Sequence, residues 1–156
     1  MYQVNIPGLG DMVFCHLILD INGTLTTDGK LIPGVKQKII RLSEWLDITL
    51  LTADTFGTAD AIAHELGQPL QIVGPNEVGI NKLKFVNTLD PQHSIAIGNG
   101  SNDRQMLAEV ALSIAVIGQE GCSAQAIQAS MIVVRDINDG LDLLLNKQRL
   151  MATLRT

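Results

Sequence analysis

The sequence has few aromatic residues and only two cysteines. Aromatic residues make up 3% of the 156 residues, whereas apolar residues reach 46%. A buried core must therefore consist mainly of Leu, Ile, Val and Ala, which is typical of α/β domains with strands buried on both faces. Cys15 and Cys122 have neither metal-binding nor redox spacing. We expect both to be mostly buried, unpaired residues of a reducing compartment.

Basic residues and long apolar runs are also scarce. Only 11 Lys and Arg are spread along a chain of net charge −5, which argues against a nucleic-acid-binding surface, since such a surface needs a basic stripe. No stretch approaches the ~20 apolar residues of a membrane span. The first residues also lack a basic segment followed by an apolar run. We therefore expect a cytoplasmic protein with no membrane span and no nucleic-acid partner.

Extended and helical patterns alternate along almost the whole chain. The predicted strands are 1–6, 12–20, 47–52, 70–73, 93–97, 112–117 and 131–134, and the predicted helices are 34–45, 59–66, 80–89, 102–110, 124–129 and 137–145. This order predicts a three-layer α/β fold, in which helices cover both faces of a central parallel sheet. By size, residues 1–156 form one domain. It has an N-terminal strand and turn (1–12), a core (13–145) and a C-terminal tail (146–156).

Residues 17–29, LILDINGTLTTDG, are the most informative segment. An apolar strand ends at the carboxylate of Asp20, and a glycine turn follows at once. We expect Gly23 and Thr24 to bend the chain and to leave backbone N–H groups open. A carboxylate beside open amides and a metal ion suits attack on phosphorus, which would give an aspartyl phosphate.

Two further strands end in polar clusters, at Thr52 and at Asn99. Because ligands of open α/β sheets bind beyond the carboxyl ends of the strands, we expect these clusters to converge with Asp20. Taken singly, each cluster is better explained by ordinary turn and helix-capping chemistry.

These segments together resemble the motifs of the haloacid dehalogenase (HAD)-like phosphohydrolases. Residues 20–26, Asp-Ile-Asn-Gly-Thr-Leu-Thr, resemble the first motif, Asp-x-Asp-Gly-Thr, and share their ending with the phosphorylation domain of P-type ATPases. Thr52 matches the second motif and Lys82 the third. Residues 98–107 resemble the fourth, Gly-Asp-Gly-x-Asn-Asp-x-x-Met-Leu. The resemblance runs from about residue 13 to residue 145 and implies a Rossmann-like, HAD-like fold.

The resemblance implies a Mg²⁺-dependent phosphohydrolase that acts on a phosphate monoester or phosphoanhydride. Its catalytic residues would be Asp20 as nucleophile, Asn22 and Lys82. The phosphoryl group would be bound by Asp20, Gly23, Thr24, Thr52, Ala53, Lys82 and Asn102. Magnesium would be bound by Asp20, the backbone carbonyl of Asn22, Asn99 and Asp103. Lys84, two residues beyond Lys82, should point elsewhere on its helix.

Two asparagines depart from the family pattern. Asn22 replaces the aspartate that serves as general acid and base, and Asn99 replaces an aspartate that binds magnesium. An amide neither releases nor takes up a proton at neutral pH, and general acid–base catalysis contributes 10²- to 10⁴-fold. We therefore expect low turnover. Two alternatives remain: a phosphate- or nucleotide-sensing regulatory module of the same fold, and a subunit that serves a membrane pump in trans.

Residues 27–34, TDGKLIPG, have room only for a small β-hairpin flap, with Asp28 and Gly29 as its turn. The segment between Thr55 and Lys82 similarly has room for one helix and one strand. The sequence therefore predicts no cap domain. By resemblance, a capless member either accepts a large phosphorylated substrate or has its site covered by a neighbouring subunit, so a homo-oligomer is a hypothesis here.

Overall fold

The computed structural model describes residues 1–54 and 57–156. Thr55, expected at the end of the second motif, lies outside these residues. The strands are β1 (Tyr2–Ile6), β2 (Gly10–Phe14), β3 (His16–Leu19), β4 (Thr26–Thr27), β5 (Lys30–Leu31), β6 (Asp47–Thr52), β7 (Leu70–Ile72), β8 (Ser94–Gly98), β9 (Leu112–Val116) and β10 (Ile132–Val134). The helices are α1 (Val35–Leu42), α2 (Ala59–Leu66), α3 (Val78–Thr88), α4 (Arg104–Glu109), α5 (Ala124–Ala129), α6 (Ile137–Leu145) and α7 (Lys147–Leu154).

Six parallel strands form the central sheet in the order β10-β9-β8-β3-β6-β7. Side chains alternate between its faces: Leu17 and Leu19 of β3 join the core beneath α1, α2 and α6, whereas Ile18 joins the core beneath α3, α4 and α5. The predicted three-layer α/β fold is confirmed. The chain leaves β3 for β6 on one side and later returns to β8 on the other, so a crevice opens at the carboxyl end of β3.

Helix α2 shows how closely local pattern and structure agree. Ala59, Ile62, Ala63 and Leu66 recur at helical spacing, and all four are buried. Gly67 ends the helix with φ of 64°, a left-handed conformation that glycine adopts readily. Strand β6 likewise covers the predicted residues 47–52.

The predicted strand 12–20 is wrong as a single element, because the backbone changes partners at Cys15. Strand β2 pairs antiparallel with β1 in a separate two-stranded sheet. At Cys15 the N–H donates to the carbonyl of His93 and the carbonyl accepts from the N–H of Asp47, and β3 then continues into the central sheet. Both cysteines are free, but they are half-buried rather than mostly buried.

Residues 146–156, expected as a tail, contain helix α7. The side chain of Asn146 caps it by accepting a hydrogen bond from the N–H of Arg149, and Leu150 is fully buried in the main core. The ammonium of Lys147, which is an exposed residue, lies 4.8 Å from the ring centroid of Tyr2. Only Leu150 of this segment is fully buried, and one short group of apolar residues is too weak a pattern for a helix prediction.

The flap prediction is confirmed. Strands β4 and β5 pair antiparallel, and Asp28 and Gly29 join them with φ of 51° and 76°. Two consecutive positive φ values fit the twist of a tight hairpin. In the described ranges, no cap domain interrupts the elements that follow β3 or β6. None of the helices within residues 1–54 and 57–156 has the length and apolar character needed to cross a bilayer.

Leu150→Ala should lower the free energy of unfolding by about 2–5 kcal/mol, because it empties a buried position where α7 meets the core. Urea denaturation followed by circular dichroism measures this change. Gln148→Ala, at an exposed position of the same helix, is the matched control and should stay within about 0.5 kcal/mol. Equal stability of the two variants would contradict the packing of α7.

Candidate active site

Asp20 lies directly beyond the end of β3, at the centre of the sheet. Its N–H donates to the carbonyl of Ile97 at 3.0 Å, and its side chain is almost completely buried. The neighbouring strands β6 and β8 end at Thr52 and Gly98, so the segments after these three strands share one rim. The expected convergence is therefore present in the fold.

Lys82 joins two carboxylates in a buried cluster. Its Nζ lies 2.6 Å from Oδ1 of Asp20 and 2.6 Å from Oδ1 of Asp103. Lys82 and Asp103 have no exposed surface, whereas Lys84 is exposed on the same helix. Of the two lysines, Lys82 is thus the one that faces the nucleophile candidate.

Burial and the neighbouring charges together set the pKa values of Asp20 and Lys82. Removal from water, with the nearby carboxylate of Asp103, raises the pKa of Asp20 to about 6, although Lys82 and Thr24 oppose the rise. Burial by itself lowers the pKa of Lys82, but the two carboxylates outweigh it and the pKa is raised. The ammonium therefore remains charged at neutral pH, and most of the Asp20 population is ionised.

Asp103 is held on both oxygens by the protein. Its Oδ2 accepts hydrogen bonds from the backbone N–H groups of Asn99, at 3.0 Å, and Gly100, at 2.9 Å. A Cβ at position 98 would lie 2.6 Å from the carboxyl group of Asp103, so only glycine fits there. A metal contact through a water molecule would leave these bonds in place, and a direct contact would have to share Oδ1 with the Lys82 ammonium.

Hard oxygen atoms suited to a cation meet at Thr24. Its hydroxyl lies 3.0 Å from Oδ2 of Asp20 and 3.2 Å from Oδ1 of Asn99. Asn22, whose backbone carbonyl is the third expected ligand, is half-buried two residues after Asp20. One carboxylate and neutral oxygens fit Mg²⁺, which keeps several water ligands. Within the described residues, no three His, Cys, Asp or Glu side chains come together as a metal site.

The expectation of open amides at Gly23 and Thr24 is wrong. The N–H of Gly23 donates to the carbonyl of Thr26, and the N–H of Thr24 donates to the carbonyl of Ile21, both at 3.1 Å. The turn closes on the Ile21 carbonyl, so these donors are used within it. Thr24 can still act through its hydroxyl.

The remaining candidates differ in position. Thr52 is buried, and its Oγ1 accepts a hydrogen bond from the N–H of Asp54 at 3.0 Å. Ala53 is half-buried against the core beneath α3. Asn102 is exposed, and in the described part of the chain its side chain forms no hydrogen bond with the carboxylate cluster. The structure brings together Asp20, Thr24, Lys82, Asn99 and Asp103, and it leaves Asn102 outside this group.

Sequence reasoning missed the loop of residues 118–123, which follows β9. Its Gly121 carbonyl accepts a hydrogen bond from Nδ2 of Asn99 at 3.2 Å, and its Ser123 N–H donates to the Asn99 carbonyl at 2.8 Å. The carboxylate of Glu120 accepts a hydrogen bond from the N–H of Asp28 in the flap, at 3.1 Å. The sequence did contain a signal for this loop, because the strand β9 is followed by a glycine-containing segment, as are other strands that end at this rim.

Lys82→Met should destabilise the protein by about 3–5 kcal/mol at neutral pH, because it leaves two buried carboxylates without a counter-charge. Without the Lys82 ammonium, the folded-state pKa of Asp20, which burial already raises, rises further above the unfolded value. The deficit should therefore shrink as pH falls from about 8 to about 5, where Asp20 can take up a proton. Lys84→Met is the matched control, with little change at any pH. Denaturation series across this range test the prediction, and a pH-independent deficit would contradict it.

Comparisons with known proteins place this geometry in context. No family model matches the chain. It is 51% identical over 80 residues to the uncharacterized protein MJ0073 of Methanocaldococcus jannaschii. The matched residues cover 49% of this chain and 86% of that protein. It is also 49% identical over 39 residues to the uncharacterized protein MJ0072 of the same organism. This match covers 25% of this chain and 89% of that protein.

Several solved structures share the fold. The cobalt-bound deoxy-D-mannose-octulosonate 8-phosphate phosphatase of Haemophilus influenzae has a TM-score of 0.71 at 17% identity, covering 92% of this chain and 94% of that chain. The 3-deoxy-D-manno-octulosonate 8-phosphate phosphatase of Moraxella catarrhalis was solved in complex with magnesium, phosphate and KDO. It has a TM-score of 0.64 at 18% identity, covering 91% of this chain and 94% of that chain. A phospho-aspartyl intermediate analogue of phosphoserine phosphatase has a TM-score of 0.68 at 13% identity, with coverages of 83% and 98%. The chain therefore belongs to the same family as MJ0073, and its fold is that of the HAD-family hydrolases.

Proposed function

We propose that the protein is a Mg²⁺-dependent phosphohydrolase that forms an aspartyl phosphate on Asp20. The observation that carries this proposal is the buried carboxylate at the end of β3, held by Lys82 on one oxygen and by Thr24 on the other. A fixed nucleophile beside a cation and a hydroxyl is what phosphoryl transfer requires, because catalysis there depends on positioning and charge stabilisation. Structures of the same fold hold magnesium with phosphate, or an aspartyl phosphate analogue.

The reaction has two displacements at phosphorus. In the first, a carboxylate oxygen of Asp20 bonds to phosphorus while the bond to the leaving oxygen breaks, and that oxygen takes a proton from water. In the second, a water molecule attacks phosphorus, loses a proton to solvent and frees the carboxylate and inorganic phosphate. Thr52 would donate its hydroxyl to a phosphoryl oxygen, and the Lys82 ammonium would offset the added negative charge.

Magnesium would be held by Asp20 and Asn99 through their side-chain oxygens, by the backbone carbonyl of Asn22 and by Asp103 through water. When bound, the ion supplies positive charge to the phosphoryl oxygens. Asp103 would act mainly through Lys82, because both of its oxygens already accept hydrogen bonds. Its contacts keep the ammonium aimed at Asp20.

Low turnover follows from Asn22, because an amide can neither give a proton to the leaving group nor take one from the attacking water. The two asparagines also motivate the second candidate function, a phosphate- or nucleotide-sensing module. Covalent labelling separates the two functions: a mass increase of one phosphoryl group after incubation with acetyl phosphate and Mg²⁺ supports chemistry. Tight binding without that increase supports sensing.

Within the described residues, only the short β4–β5 flap lies between β3 and α1, and no cap domain follows β3 or β6. We therefore infer that the substrate is a large phosphorylated molecule or that a second copy of the chain covers the site. A strictly monomeric mass in sedimentation would remove the homo-oligomer.

Asp20→Asn should abolish both covalent labelling by acetyl phosphate and hydrolysis of an aryl phosphate, because the nucleophilic oxygen is lost. The variant should remain folded, since Lys82 keeps its pair with Asp103. Asp60→Asn, at an exposed position of α2, is the control and should retain both activities. Labelling that survives in Asp20→Asn would reject the assignment of the nucleophile.

Asn22→Asp should accelerate hydrolysis of the aspartyl phosphate, because it supplies the missing proton carrier. The expected gain is at most about 10²- to 10⁴-fold. Decay of the labelled protein, followed by intact-mass spectrometry, measures the rate. An unchanged or slower decay would contradict the role given to this position.

A further inference from the structure

Asn99 connects segments that approach the site from different parts of the chain. Its side-chain Nδ2 donates to the Gly121 carbonyl at 3.2 Å, and its Oδ1 lies 3.2 Å from the Thr24 hydroxyl. Its backbone carbonyl accepts from the N–H of Ser123 at 2.8 Å. The amide therefore bridges the turn of the nucleophile and the loop 118–123.

Gly23 shows how close this contact is. A Cβ at position 23, where φ is 78°, would lie 2.3 Å from Nδ2 of Asn99. The absence of a side chain there lets the amide lie directly against the turn that follows Asp20. Any movement of Asn99 would consequently disturb the turn that holds the nucleophile.

A carboxylate could not make the same contacts. The amide of asparagine offers one donor group and one acceptor, whereas an ionised aspartate only accepts. An aspartate at position 99 would turn an oxygen toward the Gly121 carbonyl, and it would share the Thr24 hydroxyl with a second carboxylate, Asp20. The contact with the Gly121 carbonyl would be repulsive, and the two carboxylates would repel each other unless a cation lay between them.

We propose that Asn99 is a positioning residue that assembles the nucleophile turn and the loop 118–123 without a bound cation. The charges of the buried cluster support this, because two carboxylates, Asp20 and Asp103, already share one ammonium. The asparagine adds no further negative charge for a cation to neutralise. The protein thus has an ordered site before Mg²⁺ binds, at the expense of Mg²⁺ affinity. This inference deepens the proposed function, but its test does not depend on hydrolysis.

The test compares thermal midpoints in EDTA and at one Mg²⁺ concentration, close to the dissociation constant of the wild-type protein, where binding raises the midpoint only slightly. Wild-type protein should unfold at nearly the same temperature in both. Asn99→Asp should lower the midpoint in EDTA by about 4–8 °C, and Mg²⁺ should restore most of this loss. Titration calorimetry should show Mg²⁺ binding about tenfold tighter in Asn99→Asp, because the site gains a carboxylate ligand.

Two variants separate positioning from general effects of charge or truncation. Asn102→Asp adds the same charge at an exposed position of the same loop and should show neither the loss nor the rescue. Asn99→Ala removes the bridge without adding charge, so it should lower the midpoint with no recovery in Mg²⁺.

Three results would overturn the proposal: a wild-type midpoint that rises with Mg²⁺ as much as that of Asn99→Asp, an Asn99→Asp midpoint in EDTA equal to that of wild type, or the same response in Asn102→Asp. If Asn99→Asp folds in neither condition, Asn99→Ala decides. An Asn99→Ala midpoint equal to that of wild type would then overturn the proposal. Failure of Asp20 to become phosphorylated would reject the proposed function. It would not change the expected midpoints, which test the role of Asn99 separately.

Discussion

The ion pairs of Lys82 with Asp20 and Asp103 are the interaction on which the rest of the site depends. They join the end of β3, helix α3 and the loop after β8, three segments that are distant in sequence. Buried charges are expensive to remove from water, and their mutual attraction compensates only when the geometry is good. The cluster therefore constrains all three segments at once, and it fixes the nucleophile candidate in one orientation.

Neutral asparagines at positions 22 and 99 change how this site works. A site with more carboxylates needs a cation to hold it together, whereas here one ammonium already serves both buried carboxylates. The amide of Asn99 adds hydrogen bonds where a carboxylate would add charge. In the proposed function, the asparagine that orders the site before Mg²⁺ binds would also weaken its attraction for Mg²⁺, and Asn22 would leave the site without a proton carrier. Slow phosphoryl chemistry on a well-ordered site is consistent with both changes.

Prediction from sequence succeeded where the signal was periodic or local. Strand β6 and helix α2 follow from runs of apolar residues and a terminal glycine, and the flap follows from its turn residues. It failed where contacts with residues distant in the sequence decide the structure. The strand 12–20 divides at Cys15 because its backbone bonds to His93 and Asp47, and α7 exists because Leu150 finds a place in the core.

By itself, the sequence determined the α/β class, the place of Asp20 at the end of a buried strand and the neutral residues at positions 22 and 99. These features are set by composition, by periodicity and by residue identity. Only the tertiary structure decided which donors are free, that both oxygens of Asp103 accept hydrogen bonds from the protein, and that the loop 118–123 binds Asn99. Hydrogen bonds between distant segments depend on distance and direction in space, and no local pattern of residues encodes these.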